Sequence, residues 1–297
     1  MKWKNRSGSS NVRVSRGGKT GGLGIGGILI GLILWLVFGM NPMSAFQTGQ
    51  SVTSGGSGNT SMTEVTSDDG RDVQFVSVVL KDTENVWNQI FQANGRTYQE
   101  PELILFNGRV NSACGMASAA TGPFYCPADQ TVYLDTTFFA DMRQKLGITG
   151  DQQGSGDAEN RGKAGDFAQA YVIAHEVGHH VQNLLGISKQ VRQAQKQART
   201  EAQANDWSVR QELQADCLAG VWANHNQKLT NFLESGDIKE AMHAASQIGD
   251  DRLANSHGQA AMPDNFTHGT SQQRMRWFKK GLEFGDVNVC DTFSGSI

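Results

Sequence analysis

The stretch that most limits the fold is residues 170–186, AYVIAHEVGHHVQNLLG. Tyr171, Ala174, Val177, Val181 and Leu184/Leu185 recur at steps of three and four, the spacing of a buried helical stripe. Asp166 can cap this helix, and Gly186 stands at a typical stop position. On such a helix His175 and His179 lie one turn apart and project from one face. Two imidazole nitrogens at that spacing can bind one Zn2+. Glu176 is too close to His175 to share its direction, so it reads as a base for water and not as a ligand. Gly178 costs about 1 kcal/mol against alanine in mid-helix, and its missing side chain would let another backbone approach. The plain alternative is a pair of histidines that share a helix face by accident.

A catalytic zinc needs three protein ligands and one open position. SVRQELQADCLAGVW, residues 208–222, supplies Glu212 and Asp216 at i and i+4, on one helical face beside Leu213, Leu218 and Ala219. Carboxylates on the core edge of a helix need a positive partner, which zinc on two histidines provides. Glu212 is therefore the expected third ligand. Asp216 is expected to accept the ring N–H of a ligand histidine, by preference His175. The rival is a solvated acidic face near Arg210. His180 faces elsewhere and is not expected on the metal, and His225 and His243 read as surface or packing residues. In FTHGTSQQR, residues 266–274, His268 sits on a turn before a helix. It is the expected donor to the negative oxygen formed during amide hydrolysis. Arg274 would hold that loop, and Tyr125 and Tyr133 are competing donors.

Residues 21–40, GGLGIGGILIGLILWLVFGM, contain no charge, and about 20 apolar residues suffice to cross a bilayer. The run exceeds the usual apolar core of a signal peptide, although the small-residue site MSA at 43–45 keeps cleavage open. Residues 1–20 hold six cations and no acid, against a total charge of −3, so the remaining 277 residues carry −9. The positive-inside rule then puts a basic segment, 1–20, in the cytoplasm and everything after the span outside. An acidic body argues against nucleic acid as partner. Gly22/Gly26 and Gly27/Gly31 are spaced for a helix contact that would make a homodimer through the span.

Residues 41–71 are rich in Ser, Thr and Gly and read as a flexible linker. Residues 72–297 read as one domain: an opening helix, strands in ELILFNG and QTVYLDTTFF, a polar loop at 147–165, then mostly helices, with one long helical stretch over about 188–228. The expected fold class is α+β, mostly helical with a small sheet. Cys114, Cys126, Cys217 and Cys290 form an even set that suits two disulfides outside the cytoplasm. Three pairings are possible. Cys114–Cys126 is local, which leaves Cys217 with Cys290.

VIAHEVGHHVQNLLGI, ELQADCLAGVWA, GPFYCPADQTVYLD and FTHGTSQQR together resemble the neutral zinc metallopeptidase family of bacteria, over nearly the whole chain. The family resembles the wider gluzincins, such as thermolysin, with H-E-x-x-H and a later E-x-x-x-D. The resemblance implies a zincin-like domain behind one membrane span, in the bacterial inner membrane with the domain periplasmic. It implies zinc on His175, His179 and Glu212, the base at Glu176 and the supporting carboxylate at Asp216. In gluzincins an edge strand pairs with the substrate backbone. By position, Phe124–Tyr125 or Thr131–Tyr133 is expected to line the cleft for a peptide or protein substrate. The expected activity is zinc-dependent peptide hydrolysis, with endo-cleavage favoured. The alternatives are a zinc-binding but inactive envelope interaction or chaperone domain, and a metal-free membrane scaffold.

Overall fold

The computed structural model describes residues 1–16, 61–64, 70–118, 121–139, 142, 165–251, 262 and 265–297. The expected span at 21–40, its dimer contact and nearly all of the polar loop at 147–165 lie outside them. Among the described residues, no helix is long and apolar enough to cross a membrane.

The fold is α+β and mostly helical. Its sheet runs in the order β2–β1–β3–β7–β6, with β1 Val12–Arg16, β2 Ser61–Glu64, β3 Glu102–Phe106, β6 Phe124–Cys126 and β7 Thr131–Asp135. β1, β3 and β7 are parallel, and β2 and β6 run antiparallel at the two edges. A separate hairpin joins β4 Arg109–Ser112 to β5 Gly115–Ser118. The helices bounded within the described residues are α1 Arg71–Ala93, α2 Asp166–Leu184, α3 Ile187–Gln197, α4 Glu201–Thr230, α5 Asp237–Gln247 and α6 Ser271–Phe284. A short 3-10 turn, Val287–Cys290, follows.

Alternation along β7 divides the core. Val132 and Leu134 join the main core with the helices, whereas Tyr133 joins Phe106, Val110, Ala117 and Cys126 on the other face. Side chains of period two point to opposite faces of a sheet, so one strand serves both clusters. α2 is buried on almost every side, and the polar side chains it buries, among them Asp166, His175, Glu176 and His180, need partners there. Phe167, near its start, packs against Trp222, Phe232 and Phe278 with ring centroids 5.6–6.4 Å apart. This aromatic cluster joins α2 to α4 and α6.

Close helix crossings depend on missing side chains. A Cβ on Gly178 would lie 3.0 Å from the Ala215 carbonyl oxygen, tighter than an ordinary contact, so the α4 backbone passes close to α2 here. A Cβ on Gly281 would lie 1.9 Å from the Cys217 carbonyl oxygen, which fixes α6 on α4. The expectation of a close backbone approach at Gly178 therefore holds.

Three expectations about organisation need correction. The long helix expected over 188–228 is two helices, broken at 198–200, where Thr200 turns extended and caps α4 by accepting from the Gln203 N–H. The linker read at 41–71 includes a strand, since β2 pairs with β1. The segment read as separate, 1–20, is built into the domain through residue 16. Ser9 N–H donates to the Ser77 carbonyl at 2.9 Å, Leu103 N–H donates to the Asn11 carbonyl at 2.9 Å, and Val12 is 1% exposed. Its cations and small residues resemble a topogenic signal in sequence. The strand it pairs with, β3, lies about ninety residues further along the chain.

Candidate metal centre

The site is built where α2 crosses α4. His175 and His179 project from α2 on one side and Glu212 from α4 on the other. One ligand atom from each lies within 4.8 Å of the others. His175 Nε2 is 3.2 Å from Glu212 Oε2, and His179 Nε2 is 3.3 Å from Glu212 Oε1. The one carboxylate thus reaches both imidazoles.

The opposite ring nitrogens are tied back. His175 Nδ1 donates to Asp216 Oδ1 at 2.8 Å, and His179 Nδ1 donates to Gln182 Oε1 at 2.9 Å. Gln182 is fixed in turn by donating from Nε2 to the Gln211 carbonyl at 2.7 Å. Anchoring Nδ1 fixes the tautomer and aims Nε2. Two imidazole nitrogens and a carboxylate oxygen are the donor types of a catalytic zinc site. The residues therefore fit zinc by kind, number and orientation.

The electrostatics agree. Burial alone would lower the pKa of His175, but Asp216 and then Glu212 outweigh it and push the value up to about 10. His179 is also raised, with Glu212 overcoming burial. Burial opposes ionisation of Glu212, yet the two histidines hold it well below the usual carboxylate range. The pocket between the imidazoles therefore stabilises positive charge.

Asp216 is fully buried and holds the site from behind. It accepts from His175, from the Tyr171 hydroxyl and from Arg274, through Nε at 2.8 Å and Nη2 at 3.0 Å. Burial would raise its pKa, but Arg274 and His175 bring it down to about 2. Arg274, read from sequence as a loop anchor, is instead the counter-charge of this carboxylate, and it is 2% exposed.

His268 lies on the loop before α6, near enough to Glu212 for that charge to raise its pKa, after burial lowers it and Asp250 raises it. Asp250 escaped the sequence reading. Its Oδ2 accepts from the backbone N–H groups of Thr267, His268 and Gly269 at 2.8, 2.6 and 3.0 Å, and its Oδ1 lies 3.2 Å from His268 Nδ1. The sequence signal was the acidic pair Asp250–Asp251 after Gly249. Asp251 Oδ1 likewise accepts from Ser271 N–H at 2.7 Å.

The expected cleft residues part company. β6 is the sheet edge and β7 lies inside, so the Thr131–Tyr133 option is not an edge strand. Phe124 and Tyr133 stack with centroids 4.9 Å apart in the second cluster, on the face away from the helices. The Tyr133 hydroxyl donates to Asp129. Period two explains the miss: neighbours in β6 point to opposite faces. Tyr125 is the one that meets α2. Its hydroxyl lies 3.0 Å from His180 Nδ1 and accepts from Asn183 Nδ2 at 3.1 Å, while His180 Nε2 donates to the Gln99 carbonyl at 2.6 Å. Because Nε2 bears the hydrogen, Nδ1 accepts from Tyr125. Both competing oxyanion donors are therefore engaged elsewhere, and His180 ties the edge strand to α2.

The four cysteines form Cys114–Cys126 and Cys217–Cys290. The first closes the segment leading into β6, and the second binds the carboxylate-bearing turn of α4 to the C-terminal 3-10 turn.

The model of a family described as "Putative neutral zinc metallopeptidase" matches residues 1–156 and 157–293. The chain is 46% identical over 309 residues to the uncharacterized protein YpfJ of Escherichia coli (strain K12), with 100% of both chains covered. It is 40% identical over 232 residues to the uncharacterized protein Rv2575 of Mycobacterium tuberculosis (strain ATCC 25618 / H37Rv), covering 75% of this chain and 72% of that one. No solved structure matches.

Proposed function

The chain belongs to the family described as putative neutral zinc metallopeptidases, and from that premise we propose that it hydrolyses peptide bonds at the centre formed by His175, His179 and Glu212. The observation that supports this most is the convergence of His175 Nε2, His179 Nε2 and the Glu212 carboxylate within 4.8 Å, each imidazole tied back through Nδ1.

These three residues would hold a zinc ion, whose Lewis acidity makes water a nucleophile near neutral pH and polarises a carbonyl. The chain's own residues do the rest. Glu176, one step along α2 from His175, takes the proton of the attacking water and passes it to the leaving amine. Asp216 keeps His175 in the tautomer that presents Nε2, and Arg274 keeps Asp216 ionised. His268, oriented by Asp250, donates to the oxygen that gains negative charge. A peptide lies along β6, whose outer edge is the end of the sheet, with Tyr125 beside it. The uncharged run at 21–40 ties the enzyme to a membrane.

The test is digestion of a broad peptide library by the full chain and by Glu176→Gln, with zinc measured in both. Cleavage by the unsubstituted chain, with zinc kept but cleavage lost in the variant, is the expected result. About one zinc per chain with no cleavage by either protein would leave a binding domain in its place, and no zinc at all would end the proposal.

A further inference from the structure

An uncharged run at 21–40 and a basic arm before it would ordinarily place the arm and the domain on opposite sides of a bilayer. The packing of the arm opposes that arrangement. Trp3 is 7% exposed, meets Phe75 edge-on at 5.4 Å and donates from Nε1 to Asp166 Oδ2 at 2.9 Å. Asp166 is the first residue of α2, the helix of the metal centre. Arg6 pairs with Asp82, a 2% exposed carboxylate that also accepts from Asn226 at 3.1 Å. Glu84, 1% exposed, accepts from Ser9, from Asn11 and from Lys81. Val12, Arg13 and Val14 align with Leu103, Ile104 and Leu105 as a parallel strand pair inside the sheet.

Moving the arm away would break that pair, open the core at Trp3 and leave Asp82 without its counter-charge. A buried carboxylate stripped of its cation is strongly unfavourable. We infer that residues 1–16 and the unit holding the candidate metal centre form one folded body on one side of the membrane, so that the run at 21–40 does not separate them. The inference rests on the membrane reading above and not on the proposed chemistry.

β1 ends at Arg16, and Arg16 pairs with Ser61 at the start of β2. The chain therefore leaves the sheet and rejoins it at adjacent positions. Two sequence rules now conflict. Six cations favour the cytoplasmic side, whereas two disulfides favour an oxidising compartment. One folded body obeys only one of them.

Ser10 and Glu201 are both exposed, the first on the arm and the second at the start of α4. Ser10→Cys and Glu201→Cys, made singly in the full chain, are treated in intact cells and after permeabilisation with a membrane-impermeant maleimide, with the unsubstituted chain as background. Both positions should fall in the same class, and the same labelling reports which compartment they share. Labelling from opposite sides would overturn the inference. Should fractionation find the chain wholly soluble, equal labelling still supports one body while the membrane reading fails.

Trp3→Ala gives a second measure, because a residue across the bilayer would not affect the domain. The melting temperature of the purified full chain should fall by something on the order of 10 °C. Trp3→Phe, which keeps a ring but loses the bond to Asp166, should fall less. No change in either variant would overturn the inference as well.

Discussion

Arg274 places Nε and Nη2 at 2.8 and 3.0 Å from the two carboxylate oxygens of Asp216, and both residues are at most 2% exposed. The same carboxylate holds His175 Nδ1 at 2.8 Å. A guanidinium fork on a buried carboxylate aligns it as well as neutralising it. Without the fork, Asp216 would gain affinity for a proton and lose its orienting grip on His175.

Arg274→Leu should therefore act on metal binding and on folding together. Removing one partner of a buried pair destabilises by about 3–5 kcal/mol, and loss of an outer partner of a ligand histidine costs about 10- to 100-fold in metal affinity. Arg274→Lys keeps the charge but not the fork, so it should recover part of the stability and little of the affinity. Urea unfolding and competition with a zinc chelator separate the two effects. Unchanged zinc affinity in Arg274→Leu would contradict this role for the pair.

A second prediction concerns pH and lies away from the metal. Glu240, on α5, is 3% exposed and sits against the start of α2, where a Cβ on Gly165 would meet its carboxylate at 2.2 Å. Burial, then the charge of Asp237, raises its pKa from 4.5 to about 7. A raised folded-state value means that the folded protein binds the extra proton between those limits, so stability falls as pH rises from about 4.5 to 7. The shift corresponds to roughly 3 kcal/mol. Glu240→Gln keeps the shape and removes the charge. Its stability relative to the parent should rise across that window and level off above it, as read by urea unfolding at several pH values. A pH-independent difference between the two proteins would count against this.

Much of the centre was legible because its residues obey helical spacing. His175, Glu176 and His179 lie within one turn and a bit, and Glu212 with Asp216 repeats the i, i+4 relation, so periodicity alone places each pair on a face. Partners set by tertiary contact left weaker traces. Asp250 serves His268 through three backbone N–H groups, a role that eighteen residues of separation conceal. Arg274 on α6 looked like a loop anchor because nothing in FTHGTSQQR shows that its helix packs behind α4. β1 was missed for a different reason. VRVSR alternates as a strand should, but six cations beside an apolar run suggest membrane topology more strongly than five residues suggest a sheet. Phe124 and Tyr133 were assigned to the cleft by their position in the chain, and the register of β6 on β7 turned them to the other face.

The disulfide near the site should matter for stability more than for chemistry. Cys217–Cys290 closes a separation of 73 residues, and in the chain-entropy account a loop of that size is worth about 4 kcal/mol. Cys217 directly follows Asp216, yet the carboxylate is held by three other side chains. The double variant Cys217→Ala/Cys290→Ala should lose stability on that order in urea, while zinc bound at saturation stays at the parent's level under conditions where it is folded. Loss of zinc from the folded variant would show that the bond positions the ligands.

The last prediction separates the donor from the base. His268 Nδ1 and backbone N–H both face Asp250, so one carboxylate sets the loop and the ring together. If the ring donates to the oxygen that becomes negative, His268→Ala should lower kcat by about 100- to 1,000-fold, the usual cost of one such donor. KM and bound zinc should stay close to the parent's, because none of the three proposed ligands is altered. Burial lowers the His268 pKa, and Asp250 and Glu212 raise it by more. Asp250→Asn should therefore bring that pKa down and move the alkaline limb of kcat to lower pH. The same exchange weakens the acceptor for three loop N–H groups, so kcat should also fall at every pH. Glu176→Gln, by contrast, should remove nearly all cleavage, and the alkaline limb of the trace that remains should stay where the parent has it. Full kcat in His268→Ala, with zinc present, would remove this histidine from the reaction and return the donor's place to another group.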